Sequence, residues 1–137
     1  MTAVPIRARS TSAQEEAEWK LRTDLAAVFR VHSRLDWNEQ IGNHHSVMLP
    51  GSPDKPQFLI NPRGLFWAEI GADDIVMIDE QGNRLAGRHE VEPTAMYIHA
   101  AIHRICGKAC VLHTHMPFST ALRSEEHTSE LQSRETI

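Results

Sequence analysis

The chain has 137 residues, with 14 Lys and Arg against 18 Asp and Glu for a net charge of -4, a length that suits one domain. Its 41% hydrophobic content supplies enough apolar material for a core, while the mild acidity gives no electrostatic basis for nucleic acid or an anionic membrane surface as a partner. No window approaches the ~18 uncharged apolar residues of a membrane span, and the first dozen residues lack the apolar run of a secretory signal, so a cytoplasmic address is expected.

Residues 1–12 mix Pro5, Arg7 and Arg9 with small polar residues and show no hydrophobic period, so this N-terminal segment is expected to be disordered. Ser12 and Glu15 have the form of a capping box, and Leu21, Leu25, Val28 and Phe29 recur at helical spacing, which predicts a helix from about Ala13 to Ser33 with those four as its buried stripe. Ser46–Leu49 and Gln57–Asn61 read as two strands flanking the breaker run Pro50-Gly51-Ser52-Pro53-Asp54. Ile75–Asp79 reads as a third strand, turning through Glu80–Asn83 into a short segment at Arg84-Leu85. From Pro93 the period is helical again, with Ala95, Ile98, Ile102 and Ile105 on one face and Gly107 at the end. Ala109–His113 is then a buried strand candidate. The remaining 123–137 stretch has only Leu131 and Ile137 as aliphatic residues and cannot add a core element.

Nine histidines are the unusual feature of the composition, because imidazole is both a common metal ligand and a side chain that titrates near neutrality. His113-Thr114-His115 follows an apolar strand, and a period of two puts both rings on one side. Such a pair can hold a divalent ion at ~2.0–2.1 Å if a further ligand arrives from elsewhere; equally, it can be two polar residues closing a strand at a surface. Gly42-Asn43 before His44-His45, and Asn61-Pro62-Arg63-Gly64, are turns whose backbone amides can converge on an oxyanion, with Arg63 able to grip a carboxylate or phosphate. Plain turns, with Gly-Asn in the left-handed conformation, account for them as well. His99 and His103, four apart on the second helix, could chelate an ion or make hydrogen bonds within the helix packing. Glu92 could act as a general base or serve the helix dipole from its N-terminal end. Cys106 and Cys110 have no further thiols near them for a structural zinc site and suit a reducing compartment.

The order of these pieces resembles the class II aldolase/adducin family over roughly residues 16–122. The matching segments are Gly42–Val47, Phe58–Trp67, Glu69-Ile70, Ile75–Asp79, the helix Ile98–His103, and Val111–Leu122 with its His113-Thr114-His115. The resemblance implies an α/β fold, a three-layer α/β/α sandwich around a mostly antiparallel central sheet, assembled as a homotetramer with sites between subunits. It implies Zn2+ or another divalent ion, with His113 and His115 as two of its ligands. It also implies a lyase that cleaves or epimerises sugar phosphates or small hydroxylated carbonyl compounds through a metal-bound enediolate. Gly42, Asn43 and Gly64 match the turns that cradle the substrate phosphate, with Arg63 beside them.

Two positions depart from the family pattern. The acid/base glutamate of the sugar-phosphate aldolases stands four residues before the helix histidine matching His99, where this chain has Ala95. Glu92, seven before it, is the candidate catalytic carboxylate. The family's third histidine ligand belongs to a segment well beyond the first H-x-H. Arg123–Ser133 resembles the in-frame translation of a sequencing adapter, so 123–137 is expected to be a non-native, disordered tail, His127 no ligand, and 13–122 a truncated domain that is inactive by itself. The loss of the carboxylate also fits an adducin-like interaction domain without catalysis, and the same fold serves dehydratases and decarboxylases.

Overall fold

The computed structural model describes residues 12–39, 42–51 and 55–122. The expected disorder of 1–11 and of the 123–137 tail concerns segments outside the described residues, as are 40–41 and 52–54. Helix α1 runs Ala13–Arg34 and starts at a complete capping box. Glu15 N–H donates to the Ser12 hydroxyl at 3.2 Å and Ser12 N–H to the Glu15 carboxylate at 2.7 Å, which satisfies two of the donors a helix start leaves open. Ser12 therefore belongs to the helix boundary rather than to the N-terminal segment. The helix buries Leu25, Ala26 and Phe29; Leu21 and Val28 are half-buried. Arg22 is buried too, donating to the Ile75 carbonyl at 2.5 Å and to Glu18 at 2.7 Å, so its charge is paired and hydrogen-bonded as a buried charge must be.

Five strands, β1 His45–Met48, β2 Gln57–Ile60, β3 Val76–Asp79, β4 Arg84–Ala86 and β5 Cys110–Leu112, form one sheet in the order β4-β3-β2-β1-β5. Every pairing is antiparallel. A single 3-10 turn, Ala72–Asp74, leads into β3. Helix α2, Pro93–Cys106, has Glu92 as N-cap and ends at Gly107, whose φ of 60° is the left-handed C-cap that glycine adopts without strain. Residues 117–122 are helical as well.

Side chains alternate across a strand, and the two faces of the sheet have separate cores. On one face Leu59 and Met77 meet Leu25 and Phe29 of α1, with Trp67, Ile70 and Ile75. On the other Phe58, Ile60, Val76 and Ile78 meet Ala95 and Ala100 of α2. The result is the expected α/β/α layering with an antiparallel sheet between the helices.

Two expectations need correction. The face of α2 that meets the sheet is Ala95, His99, Ala100 and His103, whereas Ile98 and Ile105 are 59% and 74% exposed. Apolar periodicity pointed to the wrong side because the sheet offers Ser46 as a polar anchor for two imidazoles there. Strand β5 is not buried on both faces: it is the edge of the sheet next to β1, with Cys110 and Leu112 exposed.

Candidate functional site

The alternation that divides the core also divides three consecutive residues of the β1 end. His45 turns toward α1, where its ring stacks on Phe29 at 4.8 Å and lies 4.5 Å from Trp67. Its Nδ1 is 2.8 Å from the His44 carbonyl, which can only accept, so Nδ1 carries the proton and Nε2 accepts from His32 Nδ1 at 2.9 Å. Burial pushes the His45 pKa down to about 3. Its neighbours His44 and Ser46 turn toward α2.

Beyond β5 the chain continues along the sheet edge, held by His113 N–H to the His44 carbonyl and His115 N–H to the Trp37 carbonyl, both 2.9 Å. This brings the two rings together with centroids 4.9 Å apart and Nε2 atoms 3.1 Å apart. Two imidazole nitrogens bound to one zinc ion at ~2.0–2.1 Å stand ~2.8–3.4 Å apart for angles between square and tetrahedral. His115 Nδ1 donates to Glu39 Oε2 at 2.6 Å, which leaves Nε2 unprotonated as the acceptor of the 3.1 Å contact from His113 Nε2; a carboxylate behind the ring is also the arrangement that orients metal-binding histidines. The donor set thus fits a divalent ion as two of its ligands. Among the described residues, no three His, Cys, Asp or Glu side chains come together to hold one.

Next to His113 is a cavity of about 370 Å³ lined by residues that include His44, Thr94, His99, Ile102 and Val111. His44 is 6.2 Å from His113 and 6.1 Å from His99, centroid to centroid. Burial lowers the pKa of all three, His99 to about 4. The Nε2 atom of His44 is buried and has no hydrogen-bond partner among the described residues, an uncommon condition for a buried polar atom. His99 and His103 do not form a chelating pair. Both bind the Ser46 hydroxyl, His99 through Nδ1 at 2.6 Å and His103 through Nε2 at 2.7 Å.

Asn43 is fully buried: its Oδ1 accepts from Glu39 N–H at 2.6 Å, while Nδ2 has no partner. Asn61 ties the two candidate turns together, accepting from His45 N–H at 3.0 Å and donating to the Asn43 carbonyl at 3.4 Å. Gly64 has φ 85° and needs glycine. Arg63 and Gly64 are exposed, with Arg63 N–H donating to the Glu90 carbonyl at 2.7 Å. Glu92 caps α2: its Oε2 accepts from Ala95 N–H at 3.0 Å and from the Thr94 hydroxyl in a very short contact. Those two donors hold the carboxyl below its ordinary pKa. Glu39 and Ser46 were not legible as site residues. The first lies in an irregular connection 76 residues from its partner, and the second is a single small polar residue in an apolar strand.

Comparison with known proteins places the chain in a family. The family described as "Class II Aldolase and Adducin N-terminal domain" matches residues 23–135, and the chain belongs to it. A Pseudomonas aeruginosa protein named for the class 2 aldolases is 38% identical over 129 residues, covering 92% of this chain and 49% of that protein. The crystal structure of an aldolase II superfamily protein from Pseudomonas syringae superposes with a TM-score of 0.69 at 34% identity, covering 78% of this chain and 42% of the other. An L-fuculose 1-phosphate aldolase from Glaciozyma antarctica shares the fold, with a TM-score of 0.71 at 24% identity, over 83% of this chain and 47% of its own. The chain thus spans about half the length of these proteins.

Proposed function

We propose that this chain carries the two-histidine part of a divalent-metal centre in a class II aldolase-type lyase acting on a small hydroxylated carbonyl compound or sugar phosphate. The observation that supports this best is the 3.1 Å separation of the His113 and His115 Nε2 atoms, with Glu39 behind His115. Imidazole donors suit Zn2+ among the common divalent ions, and such an ion, when bound, supplies Lewis-acid stabilisation of negative charge on a carbonyl oxygen.

The chain's own residues take the remaining roles. His113 and His115 hold the ion, and Glu39 fixes the His115 ring. Asn43 Nδ2, buried without an acceptor, donates to an anionic oxygen of the substrate, with Gly42, Arg63 and Gly64 as the turns that receive a phosphate. Proton transfer falls to Glu92 through Oε1, the oxygen that makes neither capping bond. A third metal ligand comes from outside the described residues, and the same proposal includes a homotetramer in a cytoplasmic setting, where the exposed thiols Cys106 and Cys110 stay reduced.

Zinc titrated into the 137-residue chain should perturb the ring 15N resonances of His113 and His115 together, and dialysis should remove it. A titration that leaves both rings unmoved would sink the metal reading. Retention of one equivalent would show that the ligand set is complete within this chain.

One observation favours a second reading, an adducin-like interaction domain. Ala95 fills the position of the family carboxylate, and the nearest replacement is engaged as a helix cap and held ionised. Turnover that is lost in Glu92→Gln supports the lyase; unchanged folding without metal or turnover supports the interaction domain.

A further inference from the structure

The His103–Ser46–His99 chain has a direction. Nδ1 of His103 is 2.5 Å from the Lys108 carbonyl, and because a carbonyl only accepts, that nitrogen carries the proton. Burial keeps the ring neutral, so its Nε2 is an acceptor and takes the Ser46 O–H at 2.7 Å. The Ser46 oxygen, having donated its one proton, accepts from His99 Nδ1 at 2.6 Å. His99 is therefore protonated on Nδ1, and its Nε2 is a bare lone pair. His99 is 97% buried by surrounding protein yet lines the cavity beside His44 and His113. His44, on the same cavity, has its own Nε2 unpartnered.

We propose that His99 Nε2 is a fixed hydrogen-bond acceptor for a hydroxyl of the ligand that fills this cavity, making His99 a specificity-determining residue and Ser46 and His103 the residues that position it. A carboxylate or phosphate oxygen at that point would set lone pair against lone pair, whereas a hydroxyl brings the missing proton. Ile98, Ile102 and Val111 on the cavity wall are apolar, and the hydroxyl of Thr94, which also lines it, is already committed to Glu92. The ligand end that reaches His99 is accordingly a neutral alcohol, and any anionic group it carries lies elsewhere. This inference rests on the reading of the cavity as the ligand site beside the His113/His115 pair.

Long-range 1H–15N correlation spectra of the full 137-residue chain test it, with dihydroxyacetone as the probe. The expected result is His99 protonated at Nδ1 and bare at Nε2, with Nε2 moving toward the protonated range as dihydroxyacetone is added. Ser46→Ala should weaken that binding about two- to tenfold, the effect of one hydrogen bond, and Ser46→Thr, which keeps the hydroxyl, should restore it. His99 protonated at Nε2, or an Nε2 resonance unmoved at the highest dihydroxyacetone concentration, overturns the proposal; both are read on the unsubstituted chain, so they hold even where a variant does not fold. Zinc added separately reports on His113 and His115. If those rings ignore zinc while His99 responds to dihydroxyacetone, the metal reading fails and this one stands; the reverse outcome sinks this one alone.

Discussion

Glu39 and His115 are 76 residues apart in the chain, and their side chains meet at 2.6 Å. The carboxylate accepts the Nδ1 proton of the ring whose Nε2 faces His113, so it sets both the tautomer and the angle of a candidate metal ligand. Glu39→Gln should weaken zinc binding by about tenfold to a hundredfold, the usual effect of removing such a carboxylate, and His115→Ala by at least as much. Calorimetric or NMR titration of zinc compares the two. Equal affinity in Glu39→Gln and the unsubstituted chain would reduce the contact to a surface ion pair.

The stability of the fold should fall on acidification from pH 7 toward 5. Buried His45 has a folded pKa of about 3 and His99 of about 4, against ~6.5 in the unfolded chain. Below 6.5 the unfolded state takes up protons that the folded state refuses, so unfolding becomes easier as pH drops, by about 1.4 kcal/mol per pH unit for each such ring. Their contribution is complete above pH 6.5. Urea unfolding at pH 7, 6 and 5 measures the slope, and His45→Asn should make it shallower.

Phe29 joins the helix α1 face to the sheet, with no exposed surface, a stacked contact to His45 and an edge contact to Trp67 at 5.1 Å. Phe29→Ala should cost about 3–5 kcal/mol through lost burial and the cavity left behind. Tyr97→Ala, at a site 66% exposed, should stay within about 0.5 kcal/mol. Chemical denaturation of the two variants gives the contrast directly.

Two glycines make a matched pair. Gly87 has φ 105°, and a Cβ there would stand 3.1 Å from the Val76 Cα and 3.3 Å from the Ile75 carbonyl oxygen, both backbone atoms of limited freedom. Gly87→Ala should cost about 1–3 kcal/mol. At Gly42 an added Cβ would have its nearest neighbour at 3.4 Å, an ordinary contact, so alanine there should bring little change in thermal stability.

Periodicity and punctuation make most of the fold legible in the sequence. The Ser12/Glu15 box, the Pro50–Asp54 breaker and Gly107 are local signals, each acting through its own backbone, and the elements start or stop within three residues of them. The α2 face was misread because hydrophobicity says nothing of a buried polar anchor: Ser46 and the two histidines find one another across 53 and 57 residues. The candidate metal pair was visible as an H-x-H, since two residues on one extended segment carry their relation in the sequence. The Glu39 contact, the unpartnered nitrogen of His44 and the bare nitrogen of His99 depend on how separate elements come together, and no spacing along the chain encodes that.

Among the described residues strand β5 lies at the margin of the sheet, and the His113/His115 pair follows directly from its last residue. A margin is where a further strand can join, since its outward amides and carbonyls are open to a new ladder. Anything that zips onto β5 is delivered alongside those two rings, so growth of the sheet and enclosure of the ion's surroundings would be a single structural event.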